Sequence, residues 1–405
     1  MNHDTAAVVL DLSANGIGII RSLRRRGIPI YAFDTERKYK IGKTRYATCG
    51  ICPDPKTGES DLLALLIQFS ERLPKKPALF AGSDEFVYFI SKHRNELLNY
   101  YHFLLPDHDL IEAVLDKRLT AKLAEKHQIP SPKTFIVNNE AELDQHIHNM
   151  SFPCILKPVF GHEFRKKLSK KAIIMENADQ LRKEFPFYQQ FGELLLQELI
   201  PGKEERIYQV GTLFDDNLQL IGLFMGQKLN QFPAYFGAGA LVKSVRDEEV
   251  IERGVSFLKA LGFKGLSVAE FKRDPRDGQL KFIEINARTW LWHSLSGRCG
   301  VDLSYLYYLL LTKQNPEPIL TQTEGIKWIY LVRHYLSSRE KRKKGDLTGS
   351  QWLRNLKGKK EYALFAWDDP LPFFRSAFSH LINSWKNSRQ IKKMETKLTQ
   401  KDDKV

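Results

Sequence analysis

With 405 residues, 42% of them hydrophobic and 27% charged, the chain has the balance of an ordinary globular protein and is long enough for two or three cores. No apolar run approaches the ~18 residues a membrane-spanning helix needs, and the first residues lack the basic-then-apolar pattern of a secretion signal, so the expected compartment is the cytoplasm. The net charge of +14 leaves nucleic acid, an anionic membrane surface and acidic small molecules as partners to be weighed. Cys49 and Cys52 form one close pair, but Cys154 and Cys299 stand alone, which fits reduced thiols rather than a zinc site.

The first elements read as strand–helix–strand. Residues 6–12 form an apolar strand, Ser13 to Gly18 a tight glycine-bearing loop, 19–26 a helix stopped by Gly27, and 28–33 a second strand. The loop at a helix start is suited to an anion, yet it lacks the third glycine of a dinucleotide fingerprint, where Arg21 stands. A helix over 61–72, a strand over 77–81 and another over 103–105 complete a small α/β domain. Asn15, Asp84 and Glu85 lie where such a sheet places a ligand, although Ser83 or Asp84 equally suits a helix cap.

From Asp107 the pattern changes. An amphipathic helix over 115–127 precedes strands at 135–137 and 152–158, the latter ending in Lys157-Pro158. An ammonium at the end of an apolar strand needs a partner, and a phosphate is a natural one; a snorkelling side chain is the plain alternative. The run Gly161 to Lys171 is a basic loop able to close over a triphosphate, or simply an exposed charge run. Residues 193–202 form an apolar strand broken by Pro201-Gly202, a hinge whose backbone can read an adenine edge, with Glu204 or Glu205 near ribose hydroxyls. A hairpin over 206–214 and 218–225 follows, then Lys228, and a helix over 250–261 ended by Gly262.

The most informative stretch is Leu280 to Trp290. Glu284, Asn286 and Arg288 alternate with Ile283, Ile285 and Ala287, so a strand puts the three polar groups on one face. The run Gly265 to Phe271 and the turn residues Asp274 to Gly278 suggest a hairpin in which Glu270 faces Glu284. Facing carboxylates repel unless a cation lies between them, and a hard divalent ion such as Mg²⁺ accounts for the pair. A solvated polar face is the plain alternative. Trp290, Trp292 and His293 suit either core packing or the wall of a pocket.

The ordered set Lys117, Lys157-Pro158, Gln197-Glu198 with Pro201-Gly202, Glu270, and Glu284-x-Asn286-x-Arg288 resembles the ATP-grasp superfamily. Within it the chain looks most like the carboxylate–amine ligase-like branch that includes D-aspartate ligase-type proteins. The resemblance covers roughly residues 5–312, and Asp368 to Pro372 is also similar to that branch. It implies a Rossmann-like α/β domain at 1–108, an ATP-grasp α+β domain at 109–315 with subdomains 109–195 and 196–315, and a basic, mostly helical extension at 316–405 with a disordered end.

The resemblance also implies site roles. Lys117 and Lys157 would meet nucleotide phosphates; Gln197, Glu198 and Ile200 would line the adenine hinge; Glu204 and Glu205 would serve the ribose. Glu270, Glu284 and Asn286 would hold Mg²⁺, with Mn²⁺ as a substitute. Arg288, Lys157 and Lys228 would act in catalysis. The implied reaction is ATP-dependent amide formation from a carboxylate and an amine through an acyl-phosphate. A non-catalytic ATP-binding protein of envelope or polysaccharide biosynthesis is the alternative. Two departures stand out: a single glycine, Gly161, in the phosphate-covering loop, and Ala287 where many relatives carry proline after the asparagine.

The extension carries charge runs at 339–344 and 357–360, and its segment 371–386 mixes aromatics with basic residues. Peripheral contact with an anionic membrane at its inner face and packing against the catalytic domain are both compatible with it. Nothing suggests nucleic-acid readout, and a homodimer is the oligomeric prior.

Overall fold

The computed structural model describes residues 4–159 and 172–380. Three sheets organise it. The first, in the order β3-β2-β1-β4, is parallel and comprises β1 (Ala7–Leu10), β2 (Ile30–Asp34), β3 (Thr48–Ile51) and β4 (Ala78–Ala81). Its central strand is fully buried, as an apolar strand covered by helices on both faces should be.

The second sheet, in the order β5-β8-β6-β7, comprises β5 (Thr134–Val137), β6 (Cys154–Pro158), β7 (Ile173–Met175) and β8 (Leu194–Glu198), all pairs antiparallel. The helices Glu140–Ile147 and Ala178–Gln189 pack on it around Leu143, Leu156, Leu181, Phe185 and Leu196.

The third sheet has the order β13-β12-β9-β10-β11-β14-β15. Its strands are β9 (Ile207–Phe214), β10 (Leu220–Phe232), β11 (Ala238–Ser244), β12 (Gly265–Arg273), β13 (Leu280–Asn286), β14 (Lys327–Ile329) and β15 (Lys360–Tyr362). The extension therefore supplies two strands of this sheet. It also supplies the helix Leu331–Lys343, which buries His334, Ser337, Ser338 and Lys341. Arg21 reaches across to it, donating to the carbonyls of Tyr362 and Leu364 at 3.3 and 2.5 Å.

Several local expectations change. The first helix begins at Ala14, so Gly16 and Gly18 are helical rather than loop residues. A side chain at Gly16 would place Cβ 1.9 Å from the Asp11 carbonyl oxygen, which explains the glycine without any ligand. The helix start is not an open anion site either. Asp11 accepts hydrogen bonds from the Ser13 and Gly16 amides at 2.8 and 3.0 Å and already complements the dipole. Residues 103–105 form no strand; the segment makes one bridge, His102 with Ala78. The helix expected over 115–127 runs over Lys117–Lys126, and a separate helix, His108–Leu115, precedes it, because Asp116 leaves helical geometry and caps the second through the Arg118 amide. Strand β10 extends to Phe232, through Lys228. Strands β3, β11, β14 and β15 escape a pattern reading because they are short, glycine-bearing or polar and are defined by their neighbours. The basic run 161–171 and the end of the chain from 381 lie outside the described residues.

Candidate active site

The β12–β13 hairpin has the register that its sequence suggests. Glu270 and Glu284 are direct partners across the ladder, and Val268 pairs with Asn286. The two acids differ in surroundings. Glu270 is buried, and its Oε2 receives the Lys228 ammonium at 2.7 Å and the Gln209 amide. Burial pushes its carboxyl pKa upward and Glu284 adds to this, while Lys228 and Gln209 oppose it. Glu284 is exposed, and the Asn286 amide donates to its Oε1 at 3.3 Å.

No cluster of three or more His, Cys, Asp and Glu side chains arranged for a metal occurs among the described residues. The candidate donor set is instead two carboxylates and an amide. Facing acids with Asn286 beside them fit the chemistry of a hard divalent cation, for which Glu270 Oε1, the Glu284 carboxylate and the Asn286 oxygen would be the oxygen donors.

Arg288 follows on the same face. Its Nε donates to Asp84 Oδ1 at 2.7 Å, its Nη1 to the Thr289 carbonyl at 2.9 Å, and its Nη2 to Asn286 Oδ1 at 3.3 Å. Burial works against the guanidinium charge, but Asp84, Asp11 and Glu284 more than offset it and raise its pKa. Asp84 opens the helix Asp84–Lys92, whose cap is Ser83, so its carboxylate is available for Arg288. Glu85 pairs with Lys56 at 3.6 Å. Asn15 is used structurally instead. Its amide donates to the carbonyls of Gly82 and Thr289 at 2.7 and 2.9 Å, tying the first domain to the loop after β13. Trp290 and Trp292 are core residues, packed against Gly211 and Gly226 respectively so closely that a Cβ would collide with the rings.

Across from the hairpin, Lys157 ends β6 and Lys117 opens its helix. Burial lowers the Lys157 ammonium to about 8, with Lys117 acting in the same direction and Glu284 opposing. Lys117 and the Glu284 carboxylate of the third sheet therefore both act on the Lys157 charge. Lys157 donates to Gln197 Oε1 at 2.7 Å, and the Gln197 amide donates to Thr134 Oγ1 at 2.8 Å. This network involves the Gln197 side chain, while its backbone pairs in the sheet with Thr134 and Ile155. Glu198 accepts from Arg276 at 2.5 Å and from the Lys133 amide at 3.2 Å. The Ile200 carbonyl accepts from Lys272 Nζ at 2.7 Å.

Glu204 and Glu205 separate sharply. Glu205 is exposed, with its carbonyl held by Gln227 at 2.5 Å. Glu204 is buried, and Lys341 Nζ lies 2.5 Å from its Oε1. Lys341 is hidden from a sequence reading because it sits in a charge run. The spacing His334–Ser337–Ser338–Lys341 is nevertheless one face of a helix, and that is the available signal.

No family model matches the chain. The D-aspartate ligase of Enterococcus faecium (strain Aus0004) is 27% identical over 308 residues, 71% of this chain and 72% of that protein. Among solved structures, the L-amino acid ligase from Bacillus licheniformis superposes with a TM-score of 0.57 at 16% identity, covering 79% of this chain and 76% of that one. The biotin carboxylase domain of the Hydrogenobacter thermophilus 2-oxoglutarate carboxylase, solved with MgADP, ADP and bicarbonate, gives 0.61 at 17%, covering 79% and 72%. The chain is thus similar in fold to ATP-grasp ligases and similar in sequence to a D-aspartate ligase.

Proposed function

We propose that the protein joins a carboxylate to an amine with ATP, through an acyl-phosphate, releasing ADP and phosphate. The observation that carries this reading is the electrostatic convergence of Lys117, from a helix start, and Glu284, from the third sheet, on Lys157 of the second sheet, with Arg288 beside Glu284. In the first step a carboxylate oxygen bonds to the γ-phosphorus and ADP departs. In the second the amine bonds to the acyl carbon, loses a proton, and phosphate departs.

Most of the catalysis such a transfer needs is charge stabilisation, and Lys117 and Lys157 would bind and orient phosphate oxygens. Arg288 would steady the acyl-phosphate and the tetrahedral oxyanion. Lys228 neutralises Glu270 and fixes its carboxylate for the ion. A divalent ion, Mg²⁺ with Mn²⁺ as a substitute, would supply phosphate charge neutralisation and would be held by Glu270, Glu284 and Asn286. The hinge from Gln197 to Ile200 would take the adenine. Asp84 and Arg288, of opposite sign and side by side, suit a zwitterionic substrate such as an amino acid. The test is phosphate release with ATP and Mg²⁺ across a panel of amino acids and small carboxylates. Glu284→Ala and Lys157→Ala should each abolish turnover while the protein stays folded; turnover retained in both would overturn the assignment.

A peripheral membrane contact also has support. No helix among the described residues is long and apolar enough to cross a membrane. Trp367 is 90% exposed, and Leu371, Phe374 and Phe378, on one face of the following helix, are 54%, 59% and 66% exposed. Edge-to-face contacts link Trp367, Phe365, Phe373 and Phe374 into one aromatic array. Cations border it: Arg45 donates to the Asp368 carbonyl at 3.0 Å and Arg375 to that of Lys43 at 3.1 Å. Aromatic side chains beside cations suit an anionic lipid surface. Cosedimentation should favour phosphatidylglycerol over phosphatidylcholine vesicles, and Trp367→Ser with Phe374→Ser should abolish it; equal binding by that variant would refute the contact.

A further inference from the structure

The extension reaches the nucleotide hinge through one buried side chain. Lys341 and Glu204 are 2.5 Å apart, and their side chains are 8% and 10% exposed. Removing two charges from water is expensive, so a buried pair demands a reason beyond stability. The surroundings hold both partners in place. The Lys341 ammonium lies 5.6 Å from the Tyr235 ring centre, and that ring also faces Lys344 at 4.8 Å. Tyr235 is anchored by a hydrogen bond to Asp346, and its backbone has φ +72°, a conformation non-glycine residues rarely hold. The helix carrying Lys341 is fixed by Asn230, whose amide bonds His334 at 2.9 Å and Ser338 at 3.2 Å and whose oxygen accepts from Ser337 at 2.9 Å. On its other side the hinge is clamped by Lys272 at Ile200 and by Gln227 at Glu205.

We propose that Lys341 is a positioning residue for the nucleotide. It holds the Glu204 carboxylate by one oxygen, so that the other can accept from the ribose hydroxyls, and makes ATP affinity depend on the extension. The proposal rests on the nucleotide-hinge reading above. Between the two glutamates left open by the sequence, it selects Glu204, because its orientation is fixed while the Glu205 side chain is exposed.

The test measures ATP and 2′-deoxy-ATP on the full chain. Lys341→Met should raise the KM for ATP roughly tenfold, the worth of a hydrogen bond to a charged group, with kcat within about twofold. It should also lose most of the wild type's preference for ATP over 2′-deoxy-ATP, a change that loosened packing alone would not produce. Lys341→Arg should restore both. If Lys341→Met does not fold, Lys341→Gln is used, and it too should lose the ribose preference. A folded variant that keeps both the wild-type KM and the preference overturns the proposal. Wild-type protein that binds no ATP by calorimetry would instead overturn the hinge reading beneath it.

Discussion

Nucleotide binding should be accompanied by proton uptake at Lys157. Its ammonium titrates near 8 rather than the ordinary 10.5, with burial as the main cause. That shift corresponds to about 3 kcal/mol of disfavour for the charged form. Without nucleotide, a group with that pKa is about one-quarter protonated at pH 8.5, so full protonation against bound phosphate takes up roughly 0.75 proton. Calorimetric titration of ATP at pH 8.5, in two buffers of different ionisation enthalpy, reads this number directly. Lys157→Met should abolish the uptake and weaken binding by at least about tenfold, through loss of a charge-assisted hydrogen bond. Because the folded-state value is depressed, the unfolded chain binds more protons between about 8 and 10.5, and this site's contribution to stability rises with pH through that window. Wild-type binding with no uptake, or equal uptake by Lys157→Met, would refute the placement of Lys157 against phosphate.

Lys228→Met leaves Glu270 buried without its counter-charge and should cost about 3–5 kcal/mol at neutral pH, seen as a lower melting temperature. The deficit should shrink as pH falls, since burial raises the carboxyl's pKa and a protonated carboxyl needs no partner. Asp84→Asn removes the partner of Arg288 and should raise the KM of the carboxylate or amine substrate about tenfold while leaving that of ATP unchanged, measured by initial rates. A rise for ATP instead would move Arg288 out of the substrate site. Gly211→Ala puts a Cβ 1.9 Å from the Trp290 ring and should cost about 1–3 kcal/mol, part of which Trp290→Phe recovers in denaturant unfolding.

The Glu270/Glu284 register was legible because a two-residue period and a strong turn leave little freedom to a hairpin. The family resemblance was legible because the lysines, the strand broken by Pro201-Gly202 and the Glu284-x-Asn286-x-Arg288 strand occur in a fixed order along the chain. The first helix was harder to read. Asp11 looked like a strand end, and only the folded backbone shows it taking the amides that a free helix start would offer to an anion. Asn15, placed near a ligand by fold logic, is spent on two carbonyls 67 and 274 residues away.

By itself, the sequence determined the identity of the chemical groups and the local periodicity that sets which of them share a strand face. Those are properties of covalent order and backbone geometry, and they need no distant partner. Tertiary structure alone decided which charges are paired: Asp84 with Arg288, Lys228 with Glu270, and Lys341 with Glu204. Electrostatic pairing depends on distance and burial, and neither has a local signature when the partners lie far apart in the chain. The same holds for β14 and β15, whose few residues become strands only because the edge of a larger sheet accepts their hydrogen bonds.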